Sequence, residues 1–238
     1  MNALQEKKNG SSRLFHRARL DAERVRPRNL SGDHVMRFQN PYHFEIADAQ
    51  NPHDFPSRWC ALDVETGGLD PTKNALLQIA VHIPGEGTRS FFIRNSAGLV
   101  EQSALEINHL DLEEVRTSGL TVEDVRTLFL LWTRGRAIVG QNVAFDLGFI
   151  ASRLFNISPR DDSLELFGAF KIFDTHRVFR QLHSKEEAPK ADLASIATFY
   201  GLEFDREACH DAAFDAVLTA LVFQKELAEI VDRDAERS

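Results

Sequence analysis

The most constraining stretch of the chain is Ala61-Leu62-Asp63-Val64-Glu65-Thr66-Gly67-Gly68, a short apolar run that ends in two acids and two glycines. On a strand, residues two apart point to the same face, so Asp63 and Glu65 set two carboxylates side by side at the strand's end. Adjacent, partly desolvated anions either raise a pKa or recruit a cation, and an oxygen-only pair favours a hard ion such as Mg²⁺ or Mn²⁺. Gly67 and Gly68 permit a sharp turn or close approach of backbone to a ligand. Alone, Asp-x-Glu reads better as a strand running into an ordinary polar turn, since exposed Asp and Glu are the default.

The first 58 of the 238 residues are polar and interrupted by Asn-Gly, Arg-Pro-Arg and Asn-Pro breakers, with one helical stretch predicted over 13–26. Residues 1–58 are therefore read as an extension, partly disordered or partner-binding, and 59–238 as the catalytic domain. In the second part, Trp59 to Val64, Ala75 to Ile83 and Arg89 to Arg94 read as strands, the last two joined by a Pro84–Gly87 hairpin connection. Helices are predicted over 121–134, 143–155, 175–183, 192–200 and 211–231, with short strands at 137–139 and 170–173 between them. Strands first, then helices and strands in alternation, predict an α/β layer fold with a mixed central sheet.

Two further segments carry candidate chemistry. In Val139-Gly140-Gln141-Asn142-Val143-Ala144-Phe145-Asp146, Asp146 falls in the first turn of a helix leaving a buried strand, where the helix dipole stabilises an anion. In His210-Asp211-Ala212-Ala213-Phe214-Asp215-Ala216, five residues do not share a helical face, so His210 is placed before the helix and Asp215 inside its second turn. Asp211, as first helical residue, is read as a solvated dipole partner.

In this order the three segments resemble the DEDDh exonucleases of the ribonuclease-H-like superfamily. Asp63-Val64-Glu65-Thr66-Gly67-Gly68 matches that family's Asp-x-Glu-Thr-(Thr/Gly)-Gly. Asn142-Val143-Ala144-Phe145-Asp146 matches Asn-x-x-Phe-Asp, and His210 to Ala216 matches His-x-Ala-x-x-Asp-Ala. Phe173-Asp174-Thr175 and Leu193 to Gly201 are further echoes, while Gln141 stands where a histidine is frequent. The resemblance implies a ribonuclease-H-like fold, two Mg²⁺ ions (Mn²⁺ substituting) on Asp63, Glu65, Asp146 and Asp215, and His210 as general base. It also implies 3′→5′ removal of nucleotides from a free 3′ end, single-stranded or frayed, in DNA proofreading, repair or end trimming, or on RNA. Thr66, Gly67, Gly68, Leu69, Asn142 and Phe145 are the expected substrate contacts.

The formal charge of −8 does not exclude a polyanionic partner, because carboxylates that hold cations count as negative until the metal is included. Charge is also uneven: eight Lys/Arg against three acids give +5 up to Arg28, leaving −13 for the remainder. The basic arm is expected to meet nucleic acid, a protein partner or solvent. No apolar run of membrane-spanning length and no secretory core are visible, and the two cysteines are too few for a disulfide framework. A cytoplasmic protein without membrane contact is expected. The alternative from another class is a silent exonuclease-fold module tethered to a partner complex through its arm.

Overall fold

The computed structural model describes residues 42, 44–48, 55–158 and 170–237. The helix expected over 13–26 lies outside them. Five strands form one mixed sheet in the order β3-β2-β1-β4-β5: β1 Trp59–Thr66, β2 Leu76–Ile83, β3 Gly87–Phe92, β4 Ala137–Gly140 and β5 Ile172–Asp174. The β1–β2 and β2–β3 pairs are antiparallel, and β1–β4 and β4–β5 are parallel. The helices are α1 Gln102–Asn108, α2 Leu112–Ser118, α3 Val122–Thr133, α4 Ala144–Phe149, α5 Thr175–Leu182, α6 Leu193–Phe199 and α7 Ala212–Arg237. A π-helical turn, Ile150–Leu154, continues α4, and a 3₁₀ turn spans Arg206–Ala208.

The alternation along β1 explains the layers. Leu62 and Val64 join Phe129 of α3 and Leu147 of α4 in the larger core on one face. Trp59 meets Phe223 of α7 edge to face, with ring centroids 5.0 Å apart, so Trp59, Ala61, Asp63 and Glu65 belong to the α7 face. Ala80 of β2 packs against Ala212 and Ala216, small residues that let the start of α7 lie close over the sheet. The acid pair at the end of β1 is thereby set beneath the first turns of α7.

Caps fix the helix starts as the sequence predicts for α3, where the Thr121 hydroxyl accepts from the Asp124 N–H at 3.1 Å. Helices α1 and α2 are not in the sequence reading. Among their side chains only Asn108 and Val115 are buried, so neither carries an apolar stripe. The C-terminal part of the extension lies on the fold: Tyr42 is buried and donates its hydroxyl to the Ile157 carbonyl at 2.7 Å, Ala47 N–H donates to the Ile172 carbonyl, and Phe55 stacks on Phe173.

Candidate active site

Three carboxylates converge from two elements. Asp63 and Glu65 project from the end of β1 and Asp215 from the start of α7, and one oxygen from each lies within 4.8 Å of the others. Among the described residues this is the group of acids arranged to hold a metal ion. Asp146 stands at its edge rather than in it. Strand β4 pairs with β1 only as far as Ala61 and ends at Gly140, which leaves the peptide edge of β1 open beyond that point. Asp146, in the first turn of α4, fills the gap: its Oδ1 accepts from the Val64 N–H at 3.0 Å.

The electrostatics are those of a site built for a cation. Burial lifts the Asp63 carboxyl well above the usual carboxylate range, and the charges of Asp146, Glu65 and Asp215 raise it further. Glu65 is pushed up to about 9, by burial first and then by Asp215, Asp211 and Asp146. Burial also raises Asp146 and Asp215, although the backbone N–H groups they accept pull the other way. Asp215 Oδ1 is buried without a hydrogen-bond partner. Orphaned, mutually repelling oxygens in a partly buried cleft are satisfied by a divalent cation, and an all-oxygen set suits a hard one.

His210 precedes α7, as the spacing requires. Its backbone is left-handed (φ 70°), its N–H donates to Asp215 Oδ2 at 3.0 Å, and its side chain is exposed at the rim. Asp211 caps α7 by accepting from Ala213 and Phe214 N–H, consistent with a dipole partner rather than a ligand. Of the expected substrate contacts, Thr66, Gly67 and Gly68 form a buried turn after β1, with the Thr66 hydroxyl bonded to the Gly68 carbonyl at 2.6 Å, and Leu69 is 43% exposed beside it. Asn142 is left-handed (φ 56°) and donates its N–H to Asp174. Phe145 is half-buried against the core, its ring 5.0 Å from that of Phe149.

Several supporting residues escape sequence reasoning. Asn108 donates to the Thr66 carbonyl at 3.1 Å, and Asn74 is almost wholly buried behind the Thr66–Leu69 turn. Neither belongs to a motif or an apolar repeat that would mark it. Gln141, at the position where a histidine is frequent, ties β4 to α5 and to the loop before α6 through Thr175 and the Ala191 carbonyl.

A mixed sheet with its acids at the strand ends, covered by helices on both faces, is the ribonuclease-H-like exonuclease architecture. The model of the exonuclease family RNase_T matches residues 60–223, so the chain belongs to that family, whose DEDDh 3′→5′ members its three motifs resemble. Ribonuclease T of Blochmanniella pennsylvanica (strain BPEN) is 28% identical over 181 residues, covering 68% of this chain and 80% of the relative. Among solved structures, E. coli exonuclease I in complex with a dT13 oligonucleotide matches 73% of this chain with a TM-score of 0.59 at 19% identity. The zinc-bound complex of E. coli exonuclease I with single-stranded DNA matches 75% with a TM-score of 0.60 at 20% identity. The chain spans about two fifths of exonuclease I, 41% and 43% in the two cases, and the likeness to it is one of fold. No described helix is long and apolar enough to cross a membrane.

Proposed function

We propose that this protein is a divalent-cation-dependent 3′→5′ exonuclease that hydrolyses phosphodiester bonds at a free, single-stranded or frayed 3′ end, with His210 as general base. The observation that carries the reading is the convergence of Asp63, Glu65 and Asp215 within 4.8 Å, with the peptide of His210 tied to Asp215. Asp63, Glu65 and Asp215 would hold one Mg²⁺, and Asp63 with Asp146 would attend a second. When bound, such ions lower the pKa of a water nucleophile and neutralise charge at the phosphate and the leaving 3′-oxygen.

The chain's own groups do the rest. His210, exposed at the rim, takes a proton from the attacking water, and an imidazole suits that transfer near neutral pH. The buried Thr66–Gly68 turn offers peptide groups to the terminal nucleotide, and Leu69 and Phe145 offer apolar faces to the last bases. Stacking on such faces requires unpaired bases, which favours a frayed or single strand. The single-stranded DNA bound to the structural relatives and the ribonuclease name of the sequence relative support nucleic acid as substrate, of either sugar. The setting is cytoplasmic end trimming or repair, and the basic residues up to Arg28 are available to a protein partner.

The test is digestion of 5′-labelled single-stranded DNA, duplex DNA and RNA in Mg²⁺ and in EDTA. A ladder descending one nucleotide at a time in Mg²⁺ alone is expected. Immediate release of the labelled nucleotide would reverse the direction, and full activity in EDTA would remove the metal from the mechanism.

A further inference from the structure

Asn74 is 1% exposed, and its side chain is enclosed by groups that leave it one orientation. Its Oδ1 accepts from the Asp70 N–H at 2.9 Å. Its Nδ2 donates to Glu101 Oε1 at 2.9 Å and to the Gly67 carbonyl at 3.3 Å, with the Leu99 carbonyl at 3.5 Å. All three oxygens around Nδ2 are acceptors and the group facing Oδ1 is a donor, so a flipped amide would leave every contact unmade. An aspartate could satisfy only one side. The Asn74 carbonyl in turn accepts from Arg153 Nε at 2.7 Å, from the π-helical turn that follows α4.

This one side chain joins the turn after β1 to the segment before α1. The Gly67 carbonyl is shared between Asn74 Nδ2 and the Glu101 N–H, the latter at 2.7 Å, so the turn and residue 101 are held by two routes. The turn rests directly on the clip: a Cβ at Gly68 would stand 2.4 Å from Asn74 Nδ2, and one at Gly67 would stand 2.5 Å from the Leu99 carbonyl. On the other side Asn108 holds the Thr66 carbonyl. None of the bonds made by Asn74 goes to Asp63, Glu65, Asp146 or Asp215.

We propose that Asn74 is a positioning residue for the nucleic-acid substrate: its amide clips the Thr66–Leu69 turn to Leu99–Glu101 and so sets where the turn's peptides meet the terminal nucleotide. The inference rests on the exonuclease reading above, in which that turn contacts substrate. It separates substrate placement from metal holding, because the clip touches the turn and leaves the carboxylates to themselves.

The test uses Asn74→Asp, which sets a second carboxylate against Glu101 and removes the donor to Gly67. The double variant Asn74→Asp/Glu101→Gln restores a donor and acceptor pair with their roles exchanged. The measurements are KM and kcat on a 5′-labelled single strand, Kd for the same strand by fluorescence anisotropy in EDTA, Mn²⁺ affinity by electron paramagnetic resonance, and the melting temperature. Asn74→Asp should raise KM and Kd about tenfold, the scale of one lost hydrogen bond, with kcat within about threefold and Mn²⁺ affinity unchanged. The double variant, which remakes the bond to residue 101 while the Gly67 carbonyl still lacks its donor, should recover only part of both losses. An unchanged KM and Kd in a folded Asn74→Asp overturns the proposal, as does an unrescued loss in which kcat and Mn²⁺ affinity fall together with KM. Should Asn74→Asp not fold, Glu101→Ala should raise Kd about threefold by freeing one arm of the clip, and no change there is equally fatal. A wild type that binds the strand without cleaving it overturns the exonuclease reading alone; one that does neither overturns both.

Discussion

Replacing Glu65 by glutamine should stabilise the metal-free protein while abolishing its activity. Glu65 is buried, and burial with the charges of Asp215, Asp211 and Asp146 lifts its carboxyl from 4.5 to about 9. A folded state with the raised pKa binds the proton more tightly than the unfolded chain does. Its contribution to stability is therefore complete below 4.5 and is lost as pH rises through about 9. At about 1.36 kcal/mol for each pH unit above 4.5, the loss reaches roughly 3 kcal/mol at pH 7 and stays below about 1 kcal/mol at pH 5. Glutamine keeps the shape and carries no proton to lose. In EDTA at pH 7 the variant should melt above wild type by about 6–12 °C, at roughly 2–4 °C per kcal/mol for a chain of this size. The wild-type melting temperature should fall between pH 5 and pH 9, and Mg²⁺ should restore it most at high pH, because the ion replaces the protons. Differential scanning fluorimetry across pH, with EDTA or Mg²⁺, reads all of this. A variant that melts at or below wild type in EDTA at pH 8, or a wild type indifferent to pH over that range, would refute the account.

His210→Ala should cut turnover by roughly 10²-fold or more with the half-saturating Mg²⁺ concentration unchanged, since the residue is placed as a base and not a ligand; a wild-type rate removes it from the chemistry. Cys60 is fully buried, with its thiol pushed up to about 12, whereas Cys209 is partly exposed, so a thiol reagent at pH 8 should label one cysteine in the native protein and two in denaturant. Rapid native labelling of both would contradict the packing around Cys60. A chain beginning at Arg58 should melt several degrees below one beginning at Phe38, through loss of the burial of Tyr42 and Phe55, on the order of 3 kcal/mol for two aromatic side chains. Equal melting of the two would show that residues 42–57 add nothing to the core.

The strands were legible as short apolar runs bounded by turn residues, and the long helices by apolar positions at helical spacing. Leu62 and Val64 face one way and Asp63 and Glu65 the other, and α7 shows its apolar positions at helical spacing over many turns. Helices α1 and α2 were not, for a physical reason: α1 leaves Ile107 exposed and buries Asn108, so its anchorage is a side-chain amide on the Thr66 carbonyl and not an apolar face. The same blindness hid Asn74, whose neighbours in space, Gly67 and Glu101, lie seven and twenty-seven residues away in sequence. The π-helical turn after Asp146 was likewise invisible, since an extra residue in a turn leaves no compositional trace. Tyr42 sits among Asn-Pro breakers in a polar stretch, and only the fold shows that its ring is core. The acids were readable as a set because each sits at an element boundary that sequence marks, the end of β1 and the starts of α4 and α7.

Two of those acids reach the cleft with one oxygen already engaged. Asp146 Oδ1 accepts from the Val64 peptide and Asp215 Oδ2 from the His210 peptide, so the backbone orients each carboxylate before any ligand arrives. The two backbone hydrogen bonds that finish a strand edge and seat a histidine thus also fix where these acids stand.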